Sequence, residues 1–324
     1  MKNFYKETFK QGEHTMIRLP KQFVKTIKDV HKEKAEKWLK DFDRLIYDCE
    51  KRWQMEIMSP FALSYNFVAP AMLKDGTEIV IKLVVPGEEF LAEVEALKLF
   101  DGNGIVKIID VDIEKGVLLL ERLIPGKTLA SLENDEEATH IASQVMKKLW
   151  IPSPNAARVP TTVQREKQLI NIYRRYTEGI GPITKEILQE AVGTFKSMNS
   201  MLNKPFLLHG DLHHYNILMA GRESWLAIDP KGLIGDREYD VIQFLLNKLP
   251  NENLTTVIEK RIDIFVEELN LDKKRILLWG FSHAVLATCW TIQEDGSYNE
   301  TFFNTINAFK HLYSVYYGSI LTEE

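Results

Sequence analysis

Up to about Trp53 the apolar positions Phe23, Ile27, Trp38, Leu39, Phe42, Leu45 and Ile46 recur at mostly helical spacings among many Lys and Glu. That pattern predicts a helical extension with one packing face. From Leu63 to Ala71 and from Glu78 to Val85 the pattern changes to strand character, and Lys74-Asp75-Gly76-Thr77 between them predicts a hairpin turn. A helix is predicted from Glu88 to Phe100, with Phe90, Val94 and Leu97 on one face, followed by strands at Val106 to Val111 and Val117 to Leu120. From Leu129 onward the periodicity is mainly helical, broken at Ile151-Pro152-Ser153-Pro154 and at Gly179-Ile180-Gly181-Pro182, with strong helices predicted over Tyr239 to Leu249 and Lys273 to Gln293. One further break, Ile217-Leu218-Met219 and Trp225-Leu226-Ala227-Ile228 around Ala220-Gly221-Arg222, reads as a second hairpin.

This second hairpin carries the chemistry. Asp211 is followed five positions later by Asn216 and thirteen after that by Asp229, the spacing of a kinase catalytic loop and its magnesium Asp. Phosphoryl transfer asks for positioning and charge neutralisation, so it needs a carboxylate for the attacking hydroxyl and hard oxygen ligands for Mg²⁺. Asp211 is expected to accept the hydroxyl proton, and Asn216 and Asp229, at the two ends of the hairpin, to hold the metal. A rival reading takes His209, Asp211, His213 and His214 as the ligands of a metallo-hydrolase. The other histidines, His14, His31, His140, His283 and His311, are scattered and form no second cluster.

Glu93 shares the apolar face of its helix, and a carboxylate there requires a partner. Lys82 on the preceding strand is the natural one, with Glu89 as a second candidate for the acid; such a Lys–Glu pair holds nucleotide phosphates in kinases. The linker Glu121-Arg122-Leu123-Ile124-Pro125-Gly126 follows an apolar strand at the place of a kinase hinge, where backbone groups of Glu121 and Leu123 would meet an adenine edge. Gly102-Asn103-Gly104 lacks a Walker Lys-Ser/Thr and reads as a turn.

With 324 residues and 45% hydrophobic content, the chain is long enough for two lobes. No signal pattern opens it and no apolar run approaches a membrane span, so neither a membrane nor secretion is expected. Cys49 and Cys289, far apart in predicted helices, suggest reduced thiols in the cytoplasm. The net charge of −5 is unevenly spread: from Gly235 onward 14 Asp and Glu stand against 8 Lys and Arg. Such a region would repel nucleic acid and attract a cationic small molecule, unless the charges simply form a solvated helical surface.

Beyond the catalytic hairpin, several segments resemble the aminoglycoside and hydroxyurea resistance kinases, in particular the streptomycin 6-phosphotransferase group. They are S-Y-N-F-V-A-P at 64–70, I-V-I-K-L-V-V-P-G-E-E-F at 79–90, E-A-L-K-L-F-D-G-N-G at 95–104, L-L-L-E-R-L-I-P-G at 118–126, A-I-D-P-K-G-L-I-G-D-R-E-Y-D at 227–240 and W-G-F-S-H-A-V-L-A-T-C-W-T-I-Q-E-D-G at 279–296. The resemblance implies an α+β, protein-kinase-like, two-lobed fold: a helical extension over 1–53, a nucleotide-binding lobe over 54–122, and a catalytic and substrate-binding lobe over 123–324. It implies ATP, with GTP as the alternative donor, Mg²⁺, and a small-molecule acceptor such as an aminoglycoside. His209, Asp236 and Asp240 would support the catalytic loop, the Asp residues otherwise being surface charges or a cap before Val241. No glycine-rich loop lies near Ser64, whose hydroxyl, with backbone N–H groups, would hold phosphates instead. Gly210 stands where protein kinases have Arg, and Asp236 follows Asp229 by only seven positions, too close for an activation segment. A constitutively competent small-molecule kinase follows. Glu238, Glu294 and Asp295 would face the guanidinium groups of streptomycin, with Trp290 stacking on a sugar or guanidinium, although a Trp on such an amphipathic helix is more often core. The alternatives are a housekeeping kinase of another small alcohol and a nucleotide-binding pseudokinase; neither a monomer nor a homodimer is favoured.

Overall fold

The structure is a computed structural model that describes residues 17–154, 157–222 and 224–318. The predicted helical stretch before residue 17, with His14, lies outside the described residues. The chain forms two compact units, one of residues up to 102 with 106–124 and the other of 103–105 with 125 onward.

The first unit is built on a five-stranded antiparallel sheet in the order β1-β2-β3-β5-β4, formed by β1 (Met55–Ile57), β2 (Phe67–Leu73), β3 (Glu78–Leu83), β4 (Ile108–Asp112) and β5 (Val117–Glu121). Before it stand α1 (Lys21–His31), α2 (Glu33–Lys40) and α3 (Phe42–Trp53). Their apolar stripe does not make a core of its own: Phe23, Ile27, Trp38, Phe42 and Ile46 pack with Phe67, Ala69, Ala71, Ile79 and Ile81 of β2 and β3. Phe42 meets Phe67 edge-on at 5.1 Å, so the extension and the sheet form a single hydrophobic cluster. The predicted first hairpin is present in the register Ala69↔Ile81, but its first strand begins at Phe67 rather than Leu63. The intervening Ser64, Tyr65 and Asn66 form a bend. Helix α4 spans Glu88–Phe100 as the periodicity predicts, with Glu88 and Glu89 favourably placed in its first turn.

In the second unit β6 (Pro125–Thr128) leads to α5 (Asp135–Leu149), capped by the Asn134 side chain. The short β7 (Ile151–Pro152), α6 (Thr162–Arg175), the two-residue strands β8 (Gly179–Ile180) and β9 (Ile183–Thr184), and α7 (Lys185–Ser200) follow. Next come β10 (Phe206–Leu208), β11 (Ile217–Ala220), β12 (Trp225–Ala227) and β13 (Leu233–Gly235). The strands form two small three-stranded sheets, β13-β10-β7 and β12-β11-β6. The second departs from expectation: Pro125 and Gly126, read as linker, pair with β11 through Ala220↔Pro125.

The predicted helix over Tyr239 to Leu249 starts earlier, as α8 (Arg237–Asp240), and resumes after Val241 as α9 (Ile242–Leu246), with Tyr239 and Asp240 buried near its start. The unit closes with α10 (Leu254–Leu269), α11 (Lys273–Thr291) and α12 (Glu300–Tyr317). Helix α11 is apolar all round, with Trp279, Phe281, Ala284, Val285 and Leu286 buried, which makes it the central helix of this unit. Among the described residues no helix is long and apolar enough to cross a membrane.

Candidate active site

In the first unit Lys82 lies on the inner strand β3, opposite Val68 and Leu118. Its Nζ donates to Glu93 Oε1 of α4 at 2.6 Å, and the two residues are only 5% and 7% exposed. Glu89 is exposed, so the helix presents Glu93 to the lysine. A buried pair of this kind is costly to break one partner at a time, and it holds the ammonium in a single place. Ser64 is exposed ahead of β2. At the end of β5 the Glu121 N–H donates to the Lys107 carbonyl at 3.0 Å and its carboxylate accepts from the Lys107 N–H at 2.8 Å. Leu123 follows in irregular backbone, half-buried.

In the second unit the catalytic segment is built around His209. Its Nε2 donates to the Ile228 carbonyl at 2.9 Å and its Nδ1 accepts from the Asp211 N–H at 3.2 Å, a neutral tautomer that ties the loop holding Asp211 to the strand ahead of Asp229. Burial pushes its pKa down to about 3. Asp240, 1% exposed, accepts from the His209 N–H at 3.1 Å, the Gly210 N–H at 2.8 Å and the Trp150 indole at 2.9 Å. Replacing Asp240 with Ala leaves two buried donors and one half-buried donor without their partner, and a loss of about 3 kcal/mol is expected, read as a lowered urea midpoint. Gly210 takes φ +80°, and a Cβ there would sit 3.1 Å from the Leu233 Cβ, so this position needs glycine twice over.

Asp211 is a carboxylate largely withdrawn from water: burial raises its pKa to about 7, offset in part by the Lys231 charge and raised further by Asp229. The Asn216 amide Nδ2 donates to the Asp211 carbonyl at 3.0 Å, which leaves Oδ1 as the ligand atom of that side chain. Hairpin pairing Ile217↔Ala227, continued by Ile228 N–H to the Asn216 carbonyl at 2.9 Å, brings Asn216 and Asp229 to the same end of the hairpin. Asp229 has φ +58°, a left-handed conformation that Asp and Asn adopt more readily than other non-glycine residues. Two hard oxygens at one edge suit Mg²⁺, whose octahedral sphere is normally completed by water and phosphate oxygens. The alternative His209, Asp211, His213, His214 cluster does not form. His209 spends both ring nitrogens on backbone groups, and His214 packs flat on Phe244 with ring centroids 3.8 Å apart. Among the described residues no group of three or more His, Cys, Asp or Glu could hold a metal ion.

The acidic residues expected at the substrate are placed differently from one another. Glu238 is buried and accepts from the Asp272 N–H at 3.1 Å, so it is not presented to solvent as Glu294 and Asp295 are. Burial and the neighbouring Asp236 push Glu238 up to about 7. Burial also works against the Asp236 charge, but hydrogen bonds from Glu238, the Trp279 indole at 3.1 Å and the Arg275 guanidinium outweigh it and lower its pKa. Asp236 thus anchors α11 to the segment after β13, while contact with the catalytic loop is made by Asp240. Glu294 and Asp295 are exposed at the end of α11, where Asp295 accepts from the Ser297 N–H at 2.9 Å. Trp290 is 44% exposed and not core, but its ring is already covered by the Arg165 guanidinium, 5.1 Å from its centroid. Part of the acidic charge after Gly235 is paired within that region, Asp263 with Lys273 and Asp236 with Arg275.

Residues that the sequence does not single out for this site include Arg165, whose charge acts on Asp211, Tyr239 and His283, and the buried chain in which Tyr239 Oη meets His283 Nδ1 at 2.6 Å and Gln243 meets its Nε2 at 3.2 Å. Burial holds His283 at about 3, as it holds His209. Folded values below the ordinary 6.5 mean that protonation favours the unfolded chain. Stability from these groups is therefore fully present above about pH 6.5 and is lost as pH falls below it. Thermal melts between pH 8 and 5 are expected to show Tm falling at the acid end, and His283→Gln is expected to flatten that fall.

Comparison with known proteins places this geometry in a family. The sequence profile described as aminoglycoside/hydroxyurea antibiotic resistance kinase matches residues 53–296. A streptomycin 6-kinase of Streptomyces glaucescens is 28% identical over 87% of this chain and 93% of its own length. A second, of Streptomyces griseus, is 30% identical over 82% and 87%, and the hydroxyurea phosphotransferase of Kitasatospora aureofaciens is 30% identical over 76% and 72%. Among solved structures, choline kinase LicA from Streptococcus pneumoniae matches with TM-score 0.59 and 15% identity, over 85% of this chain and 99% of that one. A thermostable mutant of aminoglycoside phosphotransferase APH(4)-Ia matches with TM-score 0.58 and 13% identity, over the same shares. At those identities the likeness establishes the fold, α+β and protein-kinase-like. With its catalytic segment, its Lys82–Glu93 pair and three quarters of its length inside the matching profile, the chain belongs to the aminoglycoside/hydroxyurea antibiotic resistance kinase family.

Proposed function

We propose that the protein transfers the γ-phosphoryl group of ATP, with Mg²⁺, to a hydroxyl of an aminoglycoside, with streptomycin as the acceptor to try first. The observation that carries this reading is Asp211, a half-buried carboxylate raised to about 7 and held in one loop with Asn216 and, through His209, with the strand of Asp229. A carboxylate with that pKa is well matched to accepting the proton of an attacking hydroxyl near neutral pH. Asn216 Oδ1 and the Asp229 carboxylate would hold Mg²⁺, which neutralises charge on the phosphates when bound. In the first unit Lys82, oriented by Glu93, serves the α- and β-phosphates, with the Ser64 hydroxyl as a further donor and backbone groups at Glu121 and Leu123 for the adenine edge. Since the Glu121 N–H is committed to Lys107, that contact falls to the Glu121 carbonyl or the Leu123 N–H.

For the acceptor, the family relatives named for streptomycin and the exposed Glu294 and Asp295 beside Trp290 favour a cationic sugar. Two buried free thiols, Cys49 and Cys289, each pushed up to about 12 by burial, suit the reducing cytoplasm. The test is ADP release with Mg·ATP against streptomycin, other aminoglycosides, hydroxyurea and simple sugar or amino alcohols. Turnover with streptomycin above the rest is expected. Turnover confined to a simple alcohol would replace this reading with that of a housekeeping kinase, and Mg·ATP binding without turnover on any acceptor would favour a pseudokinase.

A further inference from the structure

We infer that Lys231 is a catalytic residue that contacts the phosphoryl group in transit, an inference that rests on the kinase reading above. The group being transferred spreads negative charge over its equatorial oxygens, and its stabilisation calls for fixed cations aimed at that place. Two side chains of the second unit exert a favourable charge on Asp211, Lys231 and Arg165. Arg165 is stacked on Trp290 and also acts on Tyr239 and His283, which places it toward the side expected to receive the acceptor. Lys231 stands on the metal side, with Nζ 3.9 Å from Asp229 Oδ2.

The backbone of Lys231 is rigidly placed. Its N–H and that of Gly232 both donate to the His209 carbonyl, at 2.9 and 3.1 Å, so the turn after Asp229 is clamped to the loop that bears Asp211. Its Cβ lies 3.5 Å from where a Cβ on Gly210 would stand. The side chain, 39% exposed, is by contrast able to swing. At 3.9 Å its contact with Asp229 is Coulombic and too long for a hydrogen bond, so the ammonium is held near the carboxylate without being locked to it. Mg²⁺ held at Asp229 would offset that carboxylate's charge and leave the Lys231 ammonium available to phosphoryl oxygens.

The catalytic loop offers no competing cation. His213, two residues after Asp211, accepts the Tyr215 N–H at Nδ1 (3.3 Å), which leaves Nε2 as the N–H of a neutral ring, 3.8 Å from Asp211 Oδ1. Lys231 thus supplies from the turn after the metal Asp a charge that the loop itself lacks.

The test compares wild type, Lys231→Met and Lys231→Arg by titration calorimetry with MgADP, with and without aluminium fluoride as a mimic of the transferring group. Wild type is expected to bind MgADP at least about tenfold more tightly when fluoride is present, as transition-state analogues do. Lys231→Met is expected to keep its MgADP affinity within about twofold but lose the tightening, and Lys231→Arg to retain most of it. In turnover, Lys231→Met should lower kcat by roughly 10²-fold with KM for nucleotide little changed. Fluoride tightening in Lys231→Met equal to that of wild type would overturn the role of Lys231 alone. So would a loss of MgADP binding itself in that variant, which would mark a ground-state or structural role, or a wild type whose affinity fluoride leaves unchanged. A wild type that binds no MgADP would instead overturn the kinase reading.

Discussion

Asp211→Asn is expected to bind Mg·ATP as the wild type does while kcat falls by roughly 10²–10⁴, the range for loss of a general acid–base group. The substitution keeps shape and the backbone contacts, including the Asn216 amide to the Asp211 carbonyl and the Asp211 N–H to His209. What it removes is the ability to accept a proton, so the loss should appear in kcat and kcat/KM together. In the wild type, with the free carboxyl at about 7, kcat/KM should rise with pH up to about 7 and level off above it, because the base works only when deprotonated. Steady-state kinetics with a fluorescent-nucleotide binding control makes the measurement. Turnover within about threefold of wild type would remove Asp211 from the chemistry.

Asp229→Ala is expected to abolish measurable turnover and to remove the dependence of nucleotide binding on Mg²⁺. Asp229 is the only anionic member of the proposed metal pair, Asn216 being neutral, so its removal takes away the charge that makes a magnesium site. Alanine would also inherit the left-handed φ of +58°, so part of any stability change comes from backbone strain and not from the metal. Asp229→Asn, which tolerates that conformation better, separates the two effects. If the Asn variant melts like wild type yet shows no Mg²⁺-dependent tightening of ATP, the metal role stands; normal Mg²⁺ dependence in both variants would refute it.

Both predictions rest on residues whose convergence is legible in the chain. The spacing of Asp211, Asn216 and Asp229 is local, and the hairpin between them follows from two apolar runs around a turn, which bring the last two to one end. The pairing of Lys82 with Glu93 is nearly as legible, because a carboxylate on an apolar helix face demands a cation and the two stand only 11 positions apart. The same holds for α4, whose bounds the periodicity marks, and for the place of the helices ahead of β1 as packing elements.

Long-range polar contacts are not legible in this way. Nothing in G-D-R-E-Y-D says that Asp236 is claimed by Arg275 and Trp279, 39 and 43 residues away, or that Asp240 rather than Asp236 holds the catalytic loop. Nor does it say that Glu238, which its charge alone marks for substrate, is buried. Trp290 reads as a platform for a ligand, and the tertiary structure lays Arg165 over it.

What the chain determines by itself is therefore the chemistry that depends on neighbours in sequence: helix faces, two hairpins, a Lys–Glu pair and the triplet for phosphoryl transfer, with the kinase class that follows. Tertiary structure decides which charges remain available and at what pKa. Whether a carboxylate is solvated, paired or protonated depends on distant groups and on how much water burial removes, and neither is written in the periodicity of a sequence.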